Sequence, residues 1–442
     1  MSMQKSQIDV SRRQFIKTSS LVAASAAAAP YIITGHAAPD DPIRVGLIGC
    51  GGRGKGAVGN AMSAGPNVKL VAIADLFPEK VEAVRKEFEA GLKGSASWAQ
   101  GTESKELGDV SIKLDPSMCF SGWDSYKKLL AVSDINYVIL TTPPHFRAQH
   151  LRASIEAGKH CFIEKPVATD SPGCRSVMES GEMAKKKNLG IVTGTQRRHQ
   201  KQYIEVIKRI HDGAIGKITS ARAYWNQASH TQHEPRKDGW SDMEWQLRNW
   251  IYFTWLSGDI IVEQHLHNID VINWAMQAHP IKAYGMGGQA ARFGKEYGNI
   301  YDHFCVEYEY PGGARMTSMC RQTDNCSDQI GEAVVGTEGV SNCMNTITSK
   351  TPYRFSGKFR NPYEQEHVDF IESIRAGQPL NEAQQMAESN LTAIMGRESA
   401  YSGKIIDWDS ALESKMDLSP AKYEFGPLPV PPVAIPGTYK FE

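Results

Sequence analysis

The sequence predicts a doubly wound parallel α/β sheet followed by a β-rich second domain, on three observations. Short β-branched apolar runs alternate with helix-length segments from Ile43 to Thr193, and a glycine-rich turn joins the first run to the first helix. β-rich segments gather around a Pro311-Gly312-Gly313 turn in the later half. Alternation of that kind builds a parallel sheet, whose ligands lie beyond the carboxyl ends of its strands. A hydrophobic core stops growing at about 250 to 300 residues, so a chain of 442 divides into at least two domains.

Ile43 to Ile48 is the first strand, and Gly49-Cys50-Gly51-Gly52-Arg53-Gly54 follows it, opening a helix that passes through Asn60 and Met62. Glycines at G-x-G-x-x-G spacing permit a tight turn and close approach of a pyrophosphate, whose charge the helix amides and dipole favour. The second strand, Lys69 to Ala74, ends on Asp75, 21 residues past Gly54. A carboxylate there bonds a ribose 2′-hydroxyl and repels a 2′-phosphate, so NAD is expected over NADP. Arg53 is the residue through which a phosphate, and so NADP, would be accepted.

Asn136 to Leu140 reads as a buried strand ending in Thr141-Thr142-Pro143-Pro144-His145, with a helix from Arg147 to Ala157 stopped at Gly158. His160 to Ile163 is the next strand and Glu164-Lys165-Pro166 its exit, so Asp75, Thr142 and Lys165 converge on one rim. Further on, Lys217–Trp225, His303–Tyr310, Arg315–Cys320 and Ala333–Gly336 have strand composition, and the Pro311-Gly312-Gly313 turn fits an antiparallel sheet. Glu364–Ala376 and Asn381–Tyr401 are helical by periodicity, the second expected between the domains. The proline-rich stretch from Pro427 to Pro436 reads as an extended arm over its own surface or a neighbouring subunit.

Charge narrows the partners. With 49 basic and 49 acidic side chains the electrostatic case for nucleic acid or an anionic membrane falls away, leaving small molecules. Ser11-Arg12-Arg13-Gln14-Phe15-Ile16-Lys17 precedes an alanine-rich stretch from Leu21 to Ile33 that is shorter than the roughly 20 residues of a membrane span. This resembles a twin-arginine signal peptide over residues 1–37, which implies export to the periplasm in the folded state and no membrane contact once it is removed. The eight cysteines form no C-x-x-C pair and no zinc spacing; several, such as Cys161, sit in apolar strand-like runs as small buried hydrophobes, and a Cys320–Cys326 bridge is possible in the periplasm.

The strand–glycine turn–helix opening, Thr142-Pro143-Pro144-His145, Ala157-Gly158-Lys159-His160 and Glu164-Lys165-Pro166 together resemble the Gfo/Idh/MocA oxidoreductase family over residues 42 to 405. The resemblance implies an N-terminal Rossmann domain (42–166) and a C-terminal α/β domain (167–405) on a large, mostly antiparallel sheet. That second domain would carry substrate specificity and the contacts of a homo-oligomer, ahead of a C-terminal arm (406–442). Along the cofactor it implies Gly49, Gly51, Gly52, Arg53, Gly54, Asp75, Thr142, Pro143, His145 and Glu164. Lys165 would point at nicotinamide and substrate, before a cis peptide at Pro166. In Glu263-Gln264-His265-Leu266-His267-Asn268-Ile269-Asp270, His267 takes the family's catalytic place. Glu263 stands where aspartate is usual, His265 where glycine is usual and Arg147 where histidine is frequent, departures that leave the substrate open.

Oxidation of an alcohol needs an acceptor for the hydroxyl proton while hydride leaves carbon, and His267 is the expected base. Lys165 would stabilise alkoxide character and keep the imidazole neutral; Glu263, one helical turn earlier, would orient the ring or offset the charge it gains. The bland alternative is a helix-face histidine satisfied by Glu263 or Asp270. A metal on His265 and His267 with His230 and His233 is not expected, because helical residues two apart diverge by about 200°.

Five of the nine tryptophans fall between Trp225 and Trp255, beside Arg248 and Asn249. Flat apolar faces among polar donors suit a sugar ring, although core or interface roles suit most of them equally. Trp250 and Arg248 are expected to face the pocket and His265 to narrow it. Arg197 or Arg198 would bind sugar oxygens, with an ion pair as the alternative. The reading is an NAD(P)-dependent oxidoreductase acting on a secondary hydroxyl of a sugar or glycoside, with tightly held cofactor reset by a second carbonyl substrate. One alternative is a glycosidase working by transient oxidation and elimination; another is a non-catalytic sugar-binding protein, which loss of Lys165 or His267 would favour.

Overall fold

The computed structural model describes residues 41–91, 102–103, 111–228 and 233–441. The segment read as a signal peptide and His230 lie outside the described residues.

Six parallel strands form the first sheet: β1 (Ile43–Ile48), β2 (Val68–Asp75), β3 (Cys119–Ser121), β4 (Tyr137–Leu140), β5 (His160–Ile163) and β6 (Ile191–Thr193). Their order is β3-β2-β1-β4-β5-β6, which reverses direction between β1 and β4 and opens a crevice there. Every residue of β4 is buried, as a strand covered on both faces requires. The connecting helices are α1 (Gly52–Ser63), α2 (Pro78–Ala90), α3 (Ser125–Leu130), α4 (Pro144–Glu156) and α5 (Ser171–Lys186). α4 begins three residues earlier than the sequence suggested, because Pro144 fits a first-turn position where no N–H is needed.

After α6 (Lys201–His211) the chain builds a nine-stranded sheet. Its strands are β7 (Ile218–Gln227), β8 (Lys282–Gly288), β9 (His303–Glu309), β10 (Arg315–Gln322), β11 (Gln329–Gly336), β12 (Gly339–Ser341), β13 (Thr346–Ser349), β14 (Tyr353–Arg354) and β15 (Ile406–Asp407). The order is β14-β13-β12-β11-β7-β10-β9-β8-β15, antiparallel throughout except between β7 and β10. Gly312 and Gly313, at φ 79° and 85°, turn β9 into β10.

Five helices of this part matter to the site: α7 (Asp242–Arg248), the single turn α8 (Ile260–Glu263), α9 (Leu266–Met276), α10 (Pro362–Arg375) and α11 (Ala383–Ser402). α11 is buried along nearly its whole length and joins the two sheets. Asn390 accepts from Val167 N at 2.9 Å and donates to Ala168 O at 3.1 Å on one side, while Ser399 Oγ accepts from Gly285 N at 2.8 Å on the other. Beyond α11 the chain first supplies β15 and a short helix (Trp408–Glu413), so the arm proper starts later than expected. It lies on its own chain, with Tyr301 Oη donating to Ala434 O at 2.8 Å. Cys161 is buried in β5 as expected of a small hydrophobe, while the possible bridge is not formed: all eight cysteines are free, Cys320 buried inside β10 and Cys326 exposed.

Candidate active site

A cavity of about 420 Å³ lies over the carboxyl edge of the parallel sheet, within the size range of small-molecule sites. Each strand end contributes: Gly49, Gly51, Gly52 and Arg53 after β1, Asp75 from β2, Gly122 and Trp123 after β3, Thr141 to Pro143 after β4, Glu164 and Lys165 after β5, and Gly194 after β6. Trp250, Glu263, Gln264 and His267 close it from the second sheet's helices.

The glycine turn distinguishes packing from ligand space. A Cβ on Gly54 would sit 2.2 Å from Gly49 O and 2.7 Å from Thr141 Oγ1, so hydrogen alone fits where α1 meets the strand. On Gly51 and Gly52 a Cβ would meet nothing within 4 Å. That open side faces the start of α1, whose first amides receive no side-chain cap. Uncapped amides, a helix dipole and free volume together fit a pyrophosphate. Asp75 is fixed beside the turn, its Oδ2 accepting from Cys50 N at 2.7 Å and its Oδ1 from Phe77 N at 3.0 Å.

Two of the expected cofactor residues take other roles. Arg53 lines the cavity, yet its guanidinium is held by Glu164 and, at 3.0 Å, by Glu366, so its charge is neutralised by carboxylates rather than offered to a phosphate. His145 does not line the cavity; its Nε2 bonds Tyr423 Oη at 2.8 Å, and burial lowers its pKa to about 4. Arg147 also lines the cavity, donating to Thr142 O at 2.7 Å and Pro166 O at 2.8 Å, which fastens the exits of β4 and β5 together.

Lys165, before a cis peptide at Pro166, donates from Nζ to Glu263 O at 2.5 Å and Glu263 Oε1 at 3.3 Å. Glu263 ends α8, and α9 begins only at Leu266, so Glu263 and His267 do not share a continuous helix. The expectation that Glu263 orients His267 is therefore corrected: Glu263 holds Lys165. Its other oxygen, Oε2, is buried without a partner. His267 lines the same cavity, and its ring stacks on Trp225 at 5.8 Å with planes 27° apart. Burial, then the cations Lys165, Arg197 and Arg53, push its pKa well below the ordinary histidine value, so the imidazole is neutral.

Three of the expected substrate residues stand elsewhere. His265 turns to the second sheet, where its Nε2 meets Ser318 Oγ at 2.7 Å and burial lowers its pKa to about 3. Arg197 pairs with Glu332 on β11, and its neighbour Arg198 grips Asp270 in a two-pronged pair at 2.8 and 2.9 Å. Arg248 stacks 4.0 Å over the Phe77 ring and bonds Glu79 and Glu244 instead of reaching into the cavity. Trp250 is the expected substrate residue that does line it.

Sequence reasoning missed Phe77, Trp123, Tyr126, His150, Gln264 and Tyr363, all on the cavity wall. Trp123 follows the three-residue β3, whose brevity hid it; Tyr363 arrives from α10, far along the chain. Among the described residues no group of three or more His, Cys, Asp or Glu is placed to hold a metal ion, and no helix is long and apolar enough to cross a membrane.

Residues 43–194 match an oxidoreductase family with an NAD-binding Rossmann fold, and residues 203–341 match the GFO/IDH/MocA C-terminal domain. Among curated relatives, the chain is similar to an inositol 2-dehydrogenase/D-chiro-inositol 3-dehydrogenase of Halalkalibacterium halodurans, 24% identical over 76% of this chain and 85% of that protein. It is also similar to a glycosyl hydrolase family 109 protein of Streptomyces coelicolor, 26% identical over 40% of this chain and 33% of the other. Among solved structures, scyllo-inositol dehydrogenase from Lactobacillus casei with bound NAD(H) and scyllo-inositol aligns with TM-score 0.60 at 18% identity, over 84% of this chain and 100% of that one. With these two matches together spanning well over half of its length, the chain belongs to the Gfo/Idh/MocA oxidoreductase family and carries that family's NAD-binding Rossmann domain.

Proposed function

We propose that the protein oxidises a secondary hydroxyl of a sugar, cyclitol or glycoside, with Lys165 and His267 at the reacting oxygen. One observation carries the reading: an amine from the parallel sheet and an imidazole from α9 border a single cavity that also contains the open glycine turn. NAD, when bound, supplies the hydride acceptor. His267, neutral because burial and nearby cations disfavour its charged form, takes the hydroxyl proton as the C–H bond breaks. Lys165, steered by Glu263, donates a hydrogen bond to the oxygen as it gains negative charge. Trp250 offers a flat face to the ring's C–H side, and the unpartnered Glu263 Oε2 accepts from a neighbouring hydroxyl.

Likeness to a named glycosyl hydrolase over 40% of the chain supports a second reading, glycoside cleavage through transient oxidation. The test uses purified protein with inositols, free sugars and p-nitrophenyl glycosides, each with and without added NAD. NADH formation with a ketosugar product supports the first reading. Phenol release with the sugar's oxidation level unchanged supports the second. Neither product from any substrate, with NADH still bound, favours a non-catalytic sugar-binding protein.

Export by the twin-arginine route, from residues 1–37, belongs to the same proposal. So does a homo-oligomer through the outer face of the nine-stranded sheet. Across four neighbouring strands Met286, Cys305, Met319 and Tyr224 stand in register on one face, with Met286 63% exposed. An apolar row of that kind is what a subunit contact buries. Light scattering of the purified chain should give a multiple of the protomer mass.

A further inference from the structure

Residues 414–428 cross from one sheet's helices to the other's at the Asp75 end of the cavity. Their start is tied to α5: Arg175 Nη1 donates to Ser414 O at 2.8 Å, and Leu418 N to Asp170 Oδ2 at 3.1 Å. Their end is tied to α7: Met243 N donates to Gly426 O at 3.2 Å, Leu428 N to Asp242 Oδ2 at 3.1 Å, and Gln246 Nε2 to Leu428 O at 2.6 Å. Between these anchors two rings lie against the cavity wall. Phe425 stacks on Phe77 at 6.1 Å and meets Trp123 at 5.4 Å; Tyr423 meets Phe146 at 5.9 Å. Phe77, Trp123 and Phe146 all line the cavity, so the strap backs its wall from outside.

Beside the strap, Arg248 makes a second tie. Its Nη2 bonds Glu79 of α2 at 2.7 Å and Glu244 of α7 at 2.9 Å, while the guanidinium covers Phe77 at 4.0 Å. Exposed ion pairs contribute little on their own. Here the arginine is 13% exposed, lies flat on a ring and joins two carboxylates from different domains, which is the geometry in which such a pair resists separation. Parting the two sheets, or swinging Phe77 and Trp123 outward, requires strap and tie to yield together.

We propose that the strap and the Arg248–Glu79 tie form a clasp that retains the adenosine half of NAD, so that the dinucleotide stays bound through turnover instead of exchanging with solution. This rests on the dinucleotide lying against the glycine turn. It places a chemical demand on the reaction: the hydride and proton taken from the first alcohol return to the carbonyl carbon and oxygen of a second, aldehyde or ketone substrate before the next cycle.

The test loads the full-length chain with NADH and follows loss of bound-NADH fluorescence after mixing with excess NAD. Wild-type protein should keep its nucleotide through gel filtration and exchange over minutes or longer. The double variant Tyr423→Ala/Phe425→Ala, and separately Arg248→Met, should exchange at least about tenfold faster while still binding NADH, since each removes aromatic or cation–π contacts from the wall. Tyr423 and Phe425 are 38% and 48% exposed, which favours a folded variant; circular dichroism verifies it. Should the alanines unfold the chain, Tyr423→Phe/Phe425→Leu is compared in their place. Exchange by wild type within seconds, or wild-type rates in both folded variants, would overturn the clasp. Wild-type protein that binds no NADH at all would overturn the cofactor placement itself.

Discussion

Gly51→Ala and Gly54→Ala lie three residues apart on one turn, yet the structure assigns them opposite consequences. At Gly54 a methyl carbon would sit 2.2 Å from Gly49 O, a backbone atom with no freedom to rotate away. The turn must move by most of an ångström, and overpacking of that kind costs about 1–3 kcal/mol. For a domain of roughly 150–250 residues each kcal/mol lowers Tm by about 2–4 °C, so a loss of about 2–12 °C is expected. At Gly51 the backbone is extended, φ −87° and ψ −179°, and a methyl meets no protein atom. Gly51→Ala should therefore melt with wild type. Its methyl instead enters the space in which α1's free amides would meet a pyrophosphate, and a lost charge-assisted hydrogen bond of about 1.5–3 kcal/mol weakens NADH binding about ten- to hundredfold. Thermal melts and NADH titrations of both variants measure the contrast. Gly51→Ala that binds NADH within twofold of wild type would falsify the placement of the dinucleotide on this turn.

Lys165→Met should slow single-turnover hydride transfer by about 10²–10³, the scale for losing one donor to a developing oxyanion, with NADH binding retained; a rate within twofold of wild type removes Lys165 from the chemistry. Asp75→Ser takes away the carboxylate that excludes a 2′-phosphate and leaves Lys80 at the same end of the cavity, so the NADP-to-NAD ratio of kcat/KM should rise at least about tenfold. No change in that ratio would mean that Asp75 does not face the ribose. His265 has a pKa lowered to about 3 in the fold, against about 6.5 unfolded. The stability linked to it is complete above the unfolded value and declines as pH falls toward 3, by about 1.4 kcal/mol at a pH of about 5.5. His265→Gln should lose that share of the acid sensitivity, read as the shift in urea midpoint between neutral and mildly acid buffer; identical shifts in both proteins would contradict it.

What could be read in advance depended on how far apart in the chain the interacting groups lie. The glycine turn, Asp75 and Lys165 each sit within one strand–turn–helix unit, where spacing alone determines which groups reach the carboxyl edge of the sheet. His145 is expected at the cofactor from its motif, and Arg197, Arg248 and His265 at the substrate largely from chemical type; neither separates a ligand from an ion pair or a buried ring. Their partners Tyr423, Glu332, Glu79 and Ser318 are 278, 135, 169 and 53 residues distant, beyond any local pattern. Glu263 and His267 were read as one helical turn apart. The helix breaks between them, with His265 in the gap bonded to Ser318 on the sheet and Glu263 bonded to Lys165.

This division of legibility coincides with a division of labour in the cavity. The reacting end is assembled largely from strand exits and one helix turn, whose groups owe their positions to local backbone geometry. The Asp75 end is closed by Phe77, Trp123, Arg248 and a strap from the last thirty or so residues, none of which any short motif announces. Retention of the dinucleotide and transfer of hydride are thus carried by separate sets of residues at opposite ends of one cavity. Substitutions at Tyr423, Phe425 or Arg248 should therefore change how long the nucleotide stays while leaving the hydride step near its normal rate in a single turnover. Substitutions at Lys165 or His267 should do the reverse. A variant of either set that altered both quantities in proportion would mean that the two ends of the cavity move as one.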